Sequence, residues 1–166
     1  SGIVFAWGLA VPELASDCDA ADVYEAVRGP VQALIEMGVA LHDVRGDTQA
    51  PQVVVLTQGA RKLVTDRQSP AGISAAPLVA TTRTLSSELP EISFRHIDCG
   101  VTNVAEPDLL AKIILSATAE TEIVLRDDAI YAARLKVRQH KDLPSRSLEI
   151  GPDEDTNFCV TMPAPG

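Results

Sequence analysis

Aromatic residues are scarce in this chain of 166 residues, at 4% of the sequence, although hydrophobic residues make up 46%. The core must therefore be built mainly from Val, Leu, Ile and Ala. Aliphatic cores of this kind are typical of layered α/β folds, in which parallel strands are buried on both faces. A chain of this length is expected to form one ordinary domain with its own core.

Basic residues are also few, since 14 Lys and Arg stand against 23 Asp and Glu, for a formal net charge of -9. Without a basic cluster, the sequence predicts binding neither to nucleic acid nor to anionic membranes. No run approaches the roughly 18 apolar residues that a membrane-spanning helix needs. The opening stretch, SGIVFAWG, lacks the basic and long apolar regions of a signal peptide.

The three cysteines, Cys18, Cys99 and Cys159, lie far apart and form no CxxC pair. An odd number of cysteines without a framework indicates free thiols in a reducing compartment, so we expect a cytoplasmic protein. No His lies near them at metal-ligand spacing, and a structural zinc site is not expected.

Aliphatic runs alternate with amphipathic stretches along most of the chain. Predicted strands occupy residues 3–7, 53–57, 92–98, 122–126 and 129–137. The first predicted helix begins at a cap formed by Asp19 or Asp22. The other two predicted helices occupy residues 74–89 and 106–118. Gly38 is predicted to end the first helix, which Pro30 either kinks or restarts. The run at 3–7 is predicted to be a buried strand.

The order β-α-β-α-β-α-β-β implies an α/β fold with a mostly parallel sheet, helices on its faces, right-handed crossovers and a C-terminal hairpin. We therefore predict a truncated Rossmann-like domain over residues 1–138. Residues 139–166 are polar and rich in proline. They are predicted to form a linker or arm, with short strands at 147–150 and 158–162.

The strand at 53–57 runs into TQGARKL, where a Rossmann-type protein would bind a pyrophosphate. A dinucleotide fingerprint needs G-x-G-x-x-G/A, but Gly59 is a single glycine, and Arg61 and Lys62 stand where small residues are needed. No acid for the ribose follows about twenty residues further on. The end of the first strand, at Gly8, carries no fingerprint either. We interpret Gly59 as a plain turn residue and predict no cofactor.

A reductase of the short-chain type needs a Tyr with a Lys or Asn four positions on, plus a Ser. Tyr24 is followed at that spacing by Arg28, and Tyr131 by Leu135, with Lys136 one place too late. Tyr131 also lies in a predicted strand rather than on the helix that would align such a pair. We interpret it as a half-buried strand residue.

Three histidines, His42, His96 and His140, lie in separate segments. His96 is predicted on a strand, where a lone histidine is more often structural or merely exposed than an acid or base. Cys99 follows Asp98 at the carboxyl end of that strand, where α/β proteins place ligand sites. Without an adjacent base in sequence, Cys99 is not predicted to be a nucleophile.

Other motifs of catalysis and metal binding are missing from the sequence. It holds no G-x-S-x-G elbow, no P-loop and no H-E-x-x-H. Asp127 and Asp128 are interpreted as a turn rather than as a metal pair, because Asp favours turns and no third ligand accompanies them. The sequence therefore predicts no catalytic, cofactor-binding or metal-binding residues.

Several short motifs, each weak alone, recur here in a familiar order over residues 3–137. The turn Thr57–Ala60 matches a TRGA-like turn, and Ile97–Cys99 matches a strand that ends in D-L/C. Further matches are Ala76, Pro77, Leu78, Arg83, Glu88, Pro90 and Glu91, and then Glu122, Val124, Leu125, Arg126, Tyr131, Ala132, Ala133, Arg134 and Leu135. In this order they resemble the structural subdomain of ketoreductases in modular polyketide and fatty acid synthases.

The resemblance implies a truncated Rossmann-type half that binds no cofactor and stabilises a catalytic half, which does not follow the hairpin here. The tail looks like the lead-in to an enoylreductase domain. A pseudo-ketoreductase that follows a C-methyltransferase is also consistent with it. The implied partners are neighbouring domains of one synthase: a catalytic ketoreductase half, an enoylreductase, a methyltransferase or a dehydratase.

Two functional hypotheses follow, and a third stays open. The first is a non-catalytic structural domain of a polyketide synthase. The second is a small stand-alone enzyme that binds a nucleotide or an acyl group through non-adjacent loops at the carboxyl ends of the strands. The third is a self-associating scaffold.

Overall fold

The structure is a computed structural model. It describes residues 2–12, 14–15, 17–44, 51–63, 73–100, 107–127 and 129–134. The chain divides into a compact unit of residues 1–133 and a second unit of residues 134–166. The predicted boundary at 138 and the predicted linker, with its short strands, lie outside the described residues.

Five strands in the described part of the chain form one sheet, in which chain order is also spatial order. They are β1 (Gly2–Gly8), β2 (Gln52–Gln58), β3 (Ser93–Cys99), β4 (Glu122–Arg126) and β5 (Ala129–Ala132). The first four are parallel, and β5 returns antiparallel to β4. This confirms the predicted α/β class, with a mostly parallel sheet and a C-terminal hairpin.

Among the described residues, three α-helices connect the parallel strands. They are α1 (Ala20–Asp43), α2 (Ala76–Glu88), which follows a 3-10 turn over Ile73–Ala75, and α3 (Pro107–Ile114). The start of α1 is fixed by a capping box: the Asp19 carboxylate accepts from the backbone N–H of Asp22 at 3.0 Å, and the Asp22 carboxylate accepts from that of Asp19 at 3.1 Å. Both predicted capping residues therefore take part.

Helix α1 continues through Pro30 without a break. A residue before proline normally avoids the helical conformation, because its Cβ clashes with the proline ring. Gly29 has no Cβ and removes that clash. Beyond the proline, Val31 and Leu34 pack against the sheet, and this burial holds the second half of the helix in place.

The prediction that Gly38 ends α1 is wrong, because Gly38 lies inside the helix and is buried. A Cβ at this position would lie 3.2 Å from Cδ2 of Leu85 on α2. The glycine therefore permits close packing of the two helices. The helix instead ends at Asp43, with Val44 as its C-cap.

The core is divided between the two faces of the sheet, because side chains alternate along each strand. On the α1–α2 face, Val53, Val55, Phe94 and Ile92 pack with Leu34, Leu78 and Leu85. On the α3 face, Val54, Leu56, Ile97, Cys99, Ile123 and Leu125 pack with Ile113. Along β3, Phe94 faces α1 and α2, whereas Ile97 and Cys99 face α3.

The three crossovers cannot share one hand. Each step from β1 to β4 moves in the same direction across the sheet, yet α3 packs on the face opposite to α1 and α2. The prediction that every crossover is right-handed is therefore wrong. Arg95 helps to hold α3 on its face, since its guanidinium donates to the carbonyls of Ile113 at 3.2 Å and Thr118 at 2.7 Å.

Strand β1 was predicted to be buried, but it lies at the edge of the sheet. Phe5 packs into the core on the α1–α2 face. Val4 remains 47% exposed and Trp7 55% exposed. The short apolar run was compatible with either position, because a run of this length does not show whether both faces of a strand are covered.

The close approach at Gly38 predicts that Gly38→Val destabilises the domain by about 1–3 kcal/mol, because the added methyl groups crowd Leu85. Ala40→Val is the matched control, since Ala40 is an exposed position on the same helix. This control is expected to lower the free energy of unfolding by only about a few tenths of a kcal/mol, because Val is β-branched and forms helices less readily than Ala. Urea unfolding measures both. Equal stability of the two variants would show that α1 and α2 are not in close contact there.

Candidate functional site

The candidate site lies at the carboxyl ends of β2 and β3, the edge of a parallel sheet where α/β proteins place their ligands. Strand β2 ends in a turn at Gly59, whose φ of 65° lies in the left-handed region that glycine adopts without strain. The Gly59 N–H donates to the carbonyl of Cys99 at 2.9 Å. The chain thereby turns back over the end of β3.

The turn binds an anion, and the anion belongs to the chain itself. The carboxylate of Asp98 accepts from the backbone N–H of Ala60 at 2.8 Å and of Arg61 at 3.1 Å. It also accepts from the hydroxyl of Thr57 at 2.6 Å. Asp98 is fully buried, so backbone donors of the kind that cradle phosphates in other proteins are used here for an internal carboxylate.

Arg126, at the end of β4, supplies the compensating charge. Its Nη2 donates to Oδ2 of Asp98 at 2.7 Å and to the carbonyl of Arg61 at 2.6 Å. Its Nη1 donates to the carbonyl of Asp98 at 3.2 Å. A buried carboxylate is tolerated only when it is paired and its lone pairs are satisfied, and Asp98 meets both conditions.

A second ion-pair group lies closer to solvent at the start of β4. The carboxylate of Glu122 accepts from Arg61 and from Nε of Arg83, and Arg83 Nη2 adds a further bond at 2.8 Å. The pKa of Glu122 is lowered, chiefly by the hydrogen bond from Arg83 and also by the charges of both arginines. Glu122 therefore stays ionised and links α2 to β4.

His96 lies beside Asp98 on β3 and is 1% exposed. Its Nε2 lies 2.8 Å from Oγ1 of Thr57. Because the Thr57 hydroxyl gives its single hydrogen to Asp98, the imidazole must donate from Nε2. The other nitrogen, Nδ1, then carries no hydrogen, and among the described residues it has no partner.

Burial lowers the pKa of His96 to about 4. The charges of Asp98 and Glu122 raise it, and those of Arg61 and Arg83 lower it, but desolvation is the largest effect. His96 is therefore a neutral imidazole at neutral pH.

Cys99 does not have the properties of a nucleophile. It is 2% exposed and belongs to the apolar cluster on the α3 face. Burial raises the pKa of its thiol to about 11, with a further contribution from the charge of Asp98. The thiolate, which is the reactive form, is therefore disfavoured. Cys18 is half-buried and is also a free thiol, whereas Cys159 lies outside the described residues.

The two tyrosines lie on different elements. Tyr24 is 56% exposed near the start of α1, with Arg28 stacked 5.7 Å from the centre of its ring. Tyr131 is 37% exposed on β5, opposite Val124 of β4. Its position in a strand is confirmed, while Lys136 lies outside the described residues.

The remaining candidates have structural explanations. A Cβ on Gly8 would lie 2.3 Å from the carbonyl oxygen of Leu56, so the glycine allows β1 to approach β2. His42 lies in the last turn of α1, with Nδ1 2.6 Å from a carboxylate oxygen of Glu91. Asp127 has φ 46° in the turn between β4 and β5, as an Asp in a tight hairpin can. His140 lies outside the described residues.

Sequence reasoning missed the network around Asp98. Thr57, His96 and Asp98 were recognised only as separate residues, although alternation places His96 and Asp98 on one face of β3. The register that pairs Thr57 with Asp98 supplies the missing link. The signal in the sequence would have been that two predicted strands, which pair as neighbours, both end in polar residues.

Within the part of the chain that the structure describes, no group of three or more His, Cys, Asp or Glu residues is arranged to hold a metal ion. No helix among those residues is long and apolar enough to cross a membrane. Comparison with known proteins found no matching family model, curated protein or solved structure.

The ion pair at the centre of the site predicts that Asp98→Asn destabilises the domain by about 3–5 kcal/mol, because the amide loses the ion pair with Arg126 and places its NH₂ group against the N–H and O–H donors from which the carboxylate accepts. Glu88→Gln removes a carboxylate at an exposed position of α2 and is expected to stay within about 0.5 kcal/mol. Urea unfolding of both variants provides the comparison. Similar stabilities would mean that the Asp98–Arg126 pair contributes little to the fold.

The lowered pKa of His96 predicts how the stability of the domain depends on pH. Between its ordinary pKa of 6.5 and its folded pKa of about 4, the unfolded chain binds a proton at this residue and the folded chain does not. Stability therefore falls as pH is lowered through that window, by up to about 1.4 kcal/mol per pH unit. Glu122, with its lowered pKa, contributes only at lower pH. In urea unfolding from pH 7 to 5, His96→Gln should have a flatter profile, and identical slopes would contradict a neutral buried imidazole.

Proposed function

We propose that this chain is a non-catalytic structural domain of a multidomain polyketide synthase. Its role is to stabilise or dock neighbouring ketoreductase, enoylreductase or methyltransferase domains. The observation that carries the proposal is the Asp98 carboxylate, which occupies the backbone donors of the turn after β2. The domain keeps the shape of a nucleotide-binding half while those donors are filled from within.

A dinucleotide cannot use this turn as it stands. Its pyrophosphate would have to displace Asp98, and the buried carboxylate would then have to leave Arg126 or remain beside a second anion. Like charges held close together in a buried site repel strongly. The pairing of Asp98 therefore argues against cofactor binding more directly than the missing glycines do.

The positions of the tyrosines also argue against reductase chemistry in this segment. Tyr131 projects from an antiparallel strand, and Tyr24 lies at the exposed start of α1. Of the described polar groups near the turn, Thr57 and Asp98 are committed to each other. Catalysis of hydride transfer would have to come from another part of a synthase.

The positions of the residues that carry the family resemblance support the proposal. Thr57, Arg83, Asp98, Glu122 and Arg126 come from four separate segments that resemble the ketoreductase structural subdomain. All five belong to two adjoining hydrogen-bonded groups that share Arg61. Residues that keep one fold together are expected to recur in a family whose shared property is that fold.

Exposed apolar side chains on the two edge strands of the sheet are consistent with a domain that docks on neighbouring domains. Val4 and Trp7 on β1 are 47% and 55% exposed, and Ile130 on β5 is 55% exposed. A neighbouring domain that docks at either edge of the sheet would bury these side chains. We place the synthase in the cytoplasm, which is consistent with the free thiols of Cys18 and Cys99.

Titration with NADPH tests the absence of a cofactor site. Isothermal calorimetry of this chain is expected to show no saturable heat at NADPH concentrations up to the millimolar range. An NADPH-dependent reductase in the same buffer serves as the positive control. Saturable binding would contradict the structural role and favour the stand-alone nucleotide-binding enzyme.

The coding sequence on either side of this segment tests the synthase context. We expect it to encode an enoylreductase or a methyltransferase, or a ketoreductase half with the glycine fingerprint and the Tyr–Lys pair. Flanking sequence without any of these domains would contradict the proposal. A concentration-dependent dimer of this chain in sedimentation experiments would instead favour a self-associating scaffold.

A further inference from the structure

A cavity of about 250 Å³ lies between α2 and the start of β4, on the α1–α2 face of the sheet. Its lining includes Arg83 and Ser86 of α2, Phe94 of β3, and Thr121 and Glu122 at the start of β4. With about 30 Å³ for each water-sized group, it has room for roughly eight such groups. The side chain of Arg83 is 54% exposed, so the cavity is reached from solvent beside this residue.

The hydroxyl of Ser86 is a hydrogen-bond donor that the helix does not use. Helix α2 carries five hydroxyl side chains. Four of them donate to the backbone carbonyl four residues earlier, and these are Thr81, Thr82, Thr84 and Ser87. Ser86 is the exception, since its hydroxyl is bonded to no described residue. A hydroxyl that does not bond back to its own helix remains available to a group that enters the cavity.

Arg83 supplies further donors and a positive charge. Its Nε and Nη2 donate to the two carboxylate oxygens of Glu122, whereas its Nη1 donates to no described residue. Arg61 donates to the same carboxylate. Two guanidinium groups therefore share one carboxylate, and one positive charge is left in excess beside the cavity. This excess is local, because the whole chain has a formal net charge of -9.

Thr121 and Phe94 complete the lining. The backbone carbonyl of Thr121 accepts from the N–H of His96 at 2.8 Å, which fixes this residue beside β3. Its hydroxyl, like that of Ser86, is bonded to no described residue. Phe94 is 2% exposed and belongs to the core, so its ring forms an apolar wall. The cavity thus combines uncommitted hydrogen-bond donors with an apolar surface.

We propose that this cavity binds a small carboxylate with a short aliphatic chain, whose oxygens accept from Arg83 Nη1 and from the hydroxyls of Ser86 and Thr121. An ionised carboxylate only accepts hydrogen bonds, so it matches these donors, and its charge matches the excess positive charge. Hydrogen bonds between a guanidinium and a carboxylate are among the strongest in proteins. The aliphatic chain contacts Phe94. Binding here leaves the Asp98 network intact and is independent of the proposed role as a structural domain.

Butyrate and butyramide form a matched pair that tests the proposal. They have the same size and the same aliphatic chain, but only butyrate carries a charge. The backbone amide shifts of α2 are followed in the ¹⁵N-labelled protein at pH 7, with the ionic strength held constant by sodium chloride. Butyrate should shift these signals saturably, with half-saturation on the order of 10 mM because few atoms make contact. Butyramide should bind about fivefold more weakly or not at all.

Two pairs of variants locate the binding site. Ser86→Ala removes one donor and should weaken butyrate binding about threefold or more, while Thr84→Ala, at an exposed position outside the lining, should leave it unchanged. Arg83→Gln should weaken it about tenfold or more. Arg28→Gln removes the same charge from an exposed position of α1 and should have no effect. Thermal unfolding verifies that all four variants remain folded.

Several results would overturn the proposal. They are the absence of a saturable shift with butyrate, an equal response to butyrate and butyramide, and unchanged butyrate binding by the Ser86→Ala variant. Equal weakening by Arg83→Gln and Arg28→Gln would also overturn it, because the protein would then attract anions through its overall charge rather than through this cavity. Ser86→Ala is the more stringent test, since Ser86 makes no hydrogen bond that the fold needs.

Discussion

The buried carboxylate of Asp98 is the interaction on which the carboxyl edge of this sheet depends. It receives hydrogen bonds from Thr57 on β2, from two N–H groups of the following turn, and from Arg126 on β4. Three strands and one turn are thereby held by a single side chain. Because such a charge is stable only when fully paired, the turn and the end of β4 must be in place together.

Arginine side chains link helices to strands in this fold through hydrogen bonds and ion pairs. Arg83 joins α2 to β4 through Glu122, and Arg95 joins β3 to the end of α3 through backbone carbonyls. The aliphatic clusters on the two faces of the sheet bury apolar surface, but such contacts do not fix the orientation of one element against another. The guanidinium groups supply direction, since each planar fork satisfies several acceptors at fixed angles.

Much of this architecture could be predicted from the sequence, because it depends on local patterns. The alternation along β3, the aliphatic run of β2 and the capping box at Asp19 are all readable from neighbouring residues. Gly38 was misread because its role is set by Leu85 on another helix. The role of Asp98 was missed for the same reason: it depends on the register between β2 and β3, which no local pattern records.

An anion-binding turn that carries its own anion has a thermodynamic consequence. When a protein binds a free ligand, the ligand stabilises the fold in proportion to RT ln(1 + [L]/Kd), so stability varies with ligand supply. Here the anion is a side chain of the same chain, and its local concentration does not change. The order of the turn at Gly59 therefore depends on hydrogen bonds within the chain itself.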